Sequence, residues 1–217
     1  DFTKQTYCNQ VTSYIRSLIR KGTLEIGAPV KEAVLSEQLG ISRAPIREAL
    51  QVLVQEGLIT SEPQKGKHVR QMTGKEIYDS YVVAGILEGA GVAESLPLWT
   101  EANMETFRSV VRQMEGKISY ATKLDELAEI DELFHATLFM ACDNTRLVEM
   151  ARTSCATISK YLYYQHWITM FTPREYADRH HAVAEAVYSR DVKHVETALR
   201  DHYKETGLRM AQFGKEA

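Results

Sequence analysis

The residues best equipped for chemistry form two sets. In the stretch EIDELFHATLF, Asp131 and His135 stand four residues apart, so on a helix a carboxylate and an imidazole share one face, a turn apart. His180 and His202 come much later, and the midpoint between them is residue 191. Asp191 is a good helix N-cap. A turn there folds two helices back on each other and sets the two imidazoles side by side. Three imidazoles and one carboxylate suit a divalent ion, zinc first, with nickel or manganese also possible. His166, His181 and His194 share neither the spacing nor the symmetry and read as ordinary surface or core histidines.

The second set lies near the N-terminus. Arg43 and Arg47 fall one helical turn apart, just after Ser42. Two arginines on one exposed face can make bidentate contacts to guanine or clamp phosphate. Ser42 and the first N–H groups of its helix can hold phosphate as well. Lys65, Gly66, Lys67 and His68 form a basic hairpin tip suited to the flanking backbone or the minor groove. A pair of arginines alone is usually just a solvated charged face. Here a Gly-broken helix pair precedes it and a basic hairpin comes after it.

The elements that must position these groups are legible. Val11, Ile15, Leu18 and Ile19 recur at helical spacing, and Lys21-Gly22 ends that helix. A short helix is expected over 32–39, with Gly40 as its stop. Ser42 caps a third helix that buries Ile46, Ala49, Leu50 and Leu53, and Pro45 is tolerated in its first turn. Residues 58–72 read as two short strands around a turn at Gln64–Gly66. Helix, helix, turn, helix and hairpin make a winged helix-turn-helix over 1–70. A linker over 71–75 comes next, then an all-helical bundle over 76–217 with helices near 74–96, 100–118, 122–141, 144–170, 173–189 and 191–212. The fold class is mainly α.

Composition sets the outer bounds. No run reaches the roughly 18 consecutive apolar residues of a membrane span, and the first ten residues are polar, so neither a membrane partner nor a secretory leader is expected. Cys8, Cys142 and Cys155 form no CxxC pair, and an odd count argues against a disulfide framework. A reducing, cytoplasmic setting fits. Residues 1–72 carry a formal charge of +3 and residues 73–217 one of −6. That is the asymmetry expected if only the head meets phosphate.

The stretch GISRAPIREALQVLVQEGLI, followed by QKGKHV, resembles the DNA-binding domain of the GntR family of transcription regulators. The helical remainder is similar to the ligand-binding FCD domain of its FadR-like subgroup. The resemblance implies that Arg43 and Arg47 contact operator DNA and that Gly66 is the wing tip. It also implies that Asp131, His135, His180 and His202 hold a metal in the ligand pocket. It further implies a homodimer on a short palindromic operator and repression relieved by a small effector, with carboxylates among the candidates. Two positions depart from the family pattern. Ala33 stands where an operator-contacting Arg is common, leaving Lys31 as the nearby cation. Ala84 stands four residues before Glu88, where an Arg often pairs with the ligand carboxylate. Arg108 or Arg152 could meet an anion instead. Ser154, Thr157 and Tyr161 form a polar stripe that either lines the pocket or is a hydrated or interface face.

Two other readings use the same residues. Three His and one Asp with an open position could activate water in a metalloenzyme. The sequence has no HExxH, GxSxG, GxxxxGK[ST] or GxGxxG, and no evident base beside the site. Alternatively, the four ligands close around a purely structural ion.

Overall fold

The computed structural model describes residues 6–216. The first five residues of the expected 1–70 domain, and Ala217, lie outside the described residues. The chain divides into two compact units. One comprises the chain up to Met72 together with Ala156–Gln165, and the other comprises Thr73–Cys155 with the chain from His166 on.

In the first unit, α1 (Tyr7–Arg20) buries Val11, Ile15 and Ile19, one side of the helix at four-residue spacing. Gly22 ends it with a φ of +71°. α2 (Glu32–Leu39) stops at Gly40, which is left-handed, as its missing Cβ permits. α3 (Arg43–Gln55) begins after Ser42 and buries Ile46, Ala49, Leu50 and Leu53. That burial turns Ser42, Arg43 and Arg47 to solvent. β1 (Ile59–Glu62) and β2 (Gly66–Val69) pair antiparallel, with Ile59 opposite Val69 and Glu62 opposite Gly66. Gly27–Val30 runs along the other edge of β2: Val30 N–H donates to the Lys67 carbonyl (2.8 Å) and Gly27 N–H to that of Val69 (3.0 Å). The wing is therefore held on both sides.

The segment Ala156–Gln165 is the departure from a contiguous 76–217 body. The expected helix over 144–170 breaks into α7 (Thr145–Ser154), a π-turn over Ile158–Leu162, and α8 (Tyr164–Met170). The Thr153 and Ser154 hydroxyls donate back to the Glu149 and Met150 carbonyls, a pattern that weakens and bends helices. The stretch after this break packs into the first unit. Arg20 lies over the Tyr164 ring (4.0 Å), and Gln165 donates to the Arg20 carbonyl (2.8 Å). The buried Tyr163 hydroxyl accepts from Met72 N–H (3.1 Å).

The second unit is helical. α4 (Gly74–Ser95) starts at a Thr73–Glu76 capping box, and α5 (Glu101–Ile118) starts at Thr100. The expected helix over 122–141 is a 3₁₀ turn, Leu124–Leu127, followed by α6 (Ala128–Leu138). α9 (Pro173–Tyr188) and α10 (Val192–Ala211) complete the unit, and Asp191 caps α10 by accepting from Lys193 and His194 N–H. Phe107, Phe134, Leu138, Val183, Val187 and Leu199 form the centre of the core. With the 3₁₀ turn after it, α4 is long and apolar enough to span a membrane by length and composition. More than half of its most apolar 18 residues are buried inside the protein, and it reads as a core helix.

α4 and α10 approach through glycines. A Cβ on Gly207 would lie 2.8 Å from the Tyr81 Cβ, a stiff neighbour, whereas one on Gly116 in α5 would meet nothing within 4 Å. Gly207→Ala is expected to lose about 1–3 kcal/mol to overpacking. Gly116→Ala should gain up to about 1 kcal/mol from helix propensity. Urea denaturation of both variants checks the opposite signs. A stabilised Gly207→Ala would mean that the helices part freely at this point.

Candidate functional site

α6 presents Ile130, Phe134 and Leu138 to the core, which leaves Asp131 and His135 on its flank, one turn apart. His180 sits midway along α9 and His202 midway along α10, both buried. The rings of His180 and His202 lie 4.8 Å apart, and His135 lies 5.6 Å from the first and 5.3 Å from the second. Each of the three offers one ring nitrogen, and these atoms lie within 4.8 Å of one another. The expected pairing of His180 with His202 about residue 191 is thus the observed geometry.

Hydrogen bonds fix which nitrogens face the centre. The His180 Nδ1 is 2.8 Å from the Tyr176 carbonyl, which can only accept, so Nδ1 carries the proton. Burial lowers the pKa of His180 despite Asp131 and keeps the ring neutral. Its Nε2 lone pair then faces Asp131 Oδ1 at 3.1 Å, acceptor against acceptor. A cation between them removes that conflict. The His135 Nδ1 meets Glu88 Oε1 at 2.6 Å, and Tyr203 donates its hydroxyl to Glu88 Oε2 at 2.7 Å. This backing carboxylate aims the other nitrogen of His135 inward. His202 has a buried Nδ1 with no hydrogen-bond partner. Burial, then Arg179 and the other two histidines, push its pKa well below the ordinary value. An orphaned buried nitrogen and a lone pair against a carboxylate fit a divalent ion, so the donor set passes the test of chemistry.

The remaining charges are consistent with a polar centre in a dry surround. Burial opposes a charge on His135, but Glu88 and then Asp131 outweigh it, and the imidazole is pushed up to about 9. Burial, then Asp131, raises the pKa of the Tyr176 phenol.

The four candidate effector residues have contacts of their own. Arg108 is bound to Glu101 (2.7 Å) and Glu105 (3.5 Å) on α5. Arg152 lines an open cleft of about 420 Å³ with Phe139, Cys142, Val148 and Glu149. Thr157 donates to the Glu56 carbonyl, and both it and Tyr161 belong to the first unit. The groups that do touch the ligand set are Glu88, Tyr176, Arg179 and Tyr203. Tyr176 stands four before His180, the same spacing that marks Asp131 and His135, and Arg179 and Tyr203 adjoin His180 and His202.

In the first unit, Arg47 is 69% exposed and lends Nε to Glu32 Oε2 at 3.4 Å, while Lys67 Nζ reaches Glu32 Oε1 at 3.1 Å. One carboxylate at the start of α2 thus sets both a recognition-helix arginine and a wing lysine. Lys67 holds the Glu32 carboxyl below its usual range against the opposing effect of burial, and Arg47 adds a lesser lowering. Lys65 is 75% exposed at the tip, Gly66 has a φ of +84°, and His68 is half-buried in β2. Ser42 makes no side-chain cap bond, and Lys31 is exposed at the start of α2.

Comparison with known proteins supplies the context. The family described as bacterial regulatory proteins, gntR family, matches residues 8–69, and the FCD domain matches residues 79–205. A probable D-xylose utilization operon transcriptional repressor of Paenarthrobacter nicotinovorans is 31% identical over 149 residues, covering 67% of this chain. The match spans 64% of that relative, a little under two thirds. The transcriptional repressor RspR of Escherichia coli is 26% identical over 193 residues, covering 88% of this chain and 82% of its own. Among solved structures, E. coli McbR/YncC has the same fold, with a TM-score of 0.70 at 19% identity over 97% of this chain and 99% of its own.

Proposed function

The chain belongs to the GntR family of bacterial regulatory proteins and carries an FCD domain, and from that premise we propose that it is a metabolite-responsive transcriptional repressor. The family is one of DNA-binding regulators and the two relatives named above are repressors, so a sensory role for the four ligands replaces the metalloenzyme reading. In this reading Ser42, Arg43, Arg47, Lys65, Gly66, Lys67 and His68 form the DNA face. A homodimer presents two such faces to a short palindrome, protein symmetry matching half-site symmetry. The site of action is the cytoplasm, where operator DNA lies, and Cys8, Cys142 and Cys155, with no disulfide among them, suit that reducing compartment.

Asp131, His135, His180 and His202 would hold the ion, most readily zinc, with nickel or manganese as alternatives. The observation that carries the metal reading is the His180 Nε2 atom 3.1 Å from Asp131 Oδ1, with one ring nitrogen each of His135 and His202 within 4.8 Å. A bound divalent ion supplies positive charge and a coordination position for an oxygen donor. Small organic acids are therefore the effector class to try first. Glu88 backs His135, and Tyr176 and Tyr203 place phenols around the centre.

The test is operator affinity by fluorescence anisotropy, on an operator selected from a random pool, with zinc-loaded and chelator-stripped protein and a panel of organic acids. An effector is expected to bind only the loaded protein. It should weaken operator binding by roughly 5–150-fold, the usual span of allosteric coupling. If every acid at saturation leaves operator affinity unchanged, while stripping simply unfolds the second unit, the ion is structural and the sensory reading fails.

A further inference from the structure

We propose that Arg179 is a positioning residue for the three-histidine centre: from α9 it fixes the turn of α10 that carries His202. This role presupposes that the centre binds a metal.

A metal site needs its donor atoms held to within about 0.2 Å of the required distances. His180 and His202 sit on different helices joined by a short turn, so something must hold those helices in register at the level of the ligands. Arg179 adjoins His180 and crosses to α10 at that level. Its Nη2 donates to the His202 carbonyl (2.5 Å) and to Thr206 Oγ1 (2.6 Å), and its Nε donates to Glu205 Oε2 (2.8 Å). Thr206 closes the arrangement by donating its own hydroxyl to the same His202 carbonyl (3.1 Å). The guanidinium also lies over the Phe171 ring at 4.1 Å, and the side chain is only 12% exposed. A planar fork packed on a ring and bonded to three acceptors has little freedom.

Charge fits the same role. A lone cation beside a metal site would oppose the ion. Glu205 faces the Arg179 guanidinium and offsets its charge. A lysine keeps the charge but has no fork with which to span His202, Thr206 and Glu205 together.

The structure provides its own control. Arg209 also lies over Phe171, at 4.2 Å, and bonds Glu205, Glu175 and the Met170 carbonyl. It ties the same hairpin but makes no hydrogen bond to a ligand residue.

The experiment uses the full-length chain. Zinc affinity is measured against a competing chelator for wild type, Arg179→Lys and Arg209→Lys, with the visible spectrum of the cobalt-loaded forms and the melting of the metal-free forms. Arg179→Lys is expected to weaken zinc binding by about 10–100-fold, as loss of an outer partner of a ligand does, and to change the cobalt spectrum. Arg209→Lys should stay within about fivefold of wild type, as for an exposed ion pair. Equal affinity in Arg179→Lys overturns the role, as does an equal loss in Arg209→Lys, which would make general hairpin stability the cause. A wild type that takes up neither zinc nor cobalt removes the metal reading itself, a result distinct from either. Should Arg179→Lys not melt cooperatively, Thr206→Val removes one acceptor of the same guanidinium and carries the test, with weaker zinc binding expected and unchanged affinity overturning the role.

Discussion

Purified His180→Ala protein is expected to carry almost no transition metal where wild type carries about one ion per chain. A structural zinc site with four protein ligands binds with roughly 10–16 kcal/mol at neutral pH. An even share for one ligand of four is about 2.5–4 kcal/mol, or roughly 100–1,000-fold in affinity. His180 is the member whose loss should be felt most. It is 1% exposed, its tautomer is set by the Tyr176 carbonyl, and its free nitrogen is the one facing Asp131. Its ring also packs 3.9 Å from Tyr176 and 5.0 Å from Phe134, so truncation to Ala leaves a hole worth about 2–4 kcal/mol of stability. His180→Gln keeps most of the volume and should lose metal with a smaller loss of stability. Elemental analysis of all three proteins, beside their melting curves, separates the two effects. Metal retained at wild-type stoichiometry in His180→Gln would show that the ligand assignment is wrong. Wild type that stays empty after incubation with zinc and nickel would reduce the four residues to a polar cluster, leaving the DNA-binding reading of the head untouched.

How much of this centre the sequence exposes depends on the distance over which each relation acts. Asp131 and His135 are neighbours on one helix, and helical geometry alone brings them together. His180 and His202 need only one further premise, an interhelical turn at Asp191. Glu88 and Tyr203 have no such local relation. They meet because α4 and α10 approach each other closely at Gly85 and Gly207, and periodicity assigns a face to a helix without naming the helix it will meet. Arg108 and Arg152 stand out in the sequence as cations on helices, and nothing local tells which way those helices turn. Ala84, beside Gly85, is fully buried.

The helix broken over 144–170 is a different kind of limit. Its apolar residues keep helical spacing, so the pattern reads as continuous. Two hydroxyls, on Thr153 and Ser154, turn back on the carbonyls before them, and the residues beyond them are recruited by Arg20, Glu56 and Met72, far away in the chain. Tertiary demand overrides local propensity there. The head is the easier part because its signals are punctuation: Gly22, Gly40, Gly57 and Gly66 all take positive φ, where other residues are strained.

Arg47→Ala is expected to weaken binding to a selected operator by about 1–3 kcal/mol per half-site and to relax base preference at one position. Ile46, Ala49 and Leu50 pin α3 to the core, so the arginine can be removed without moving the helix. Its partner Glu32 keeps the ion pair with Lys67, and the wing should stay in place. The Arg47–Glu32 pair is itself exposed and worth at most about 1 kcal/mol, so lost affinity reports the DNA contact rather than a damaged head. Salt dependence then tells what Arg47 touches. If it reads a base, the slope of log K against log salt stays near the wild-type value while discrimination falls. If it clamps a phosphate, the slope falls by about one and discrimination survives. Lys65→Ala, at the exposed wing tip, is the reference for the second pattern. Unchanged affinity and unchanged sequence preference in Arg47→Ala would move the recognition surface off this face of α3, and Arg43 with it.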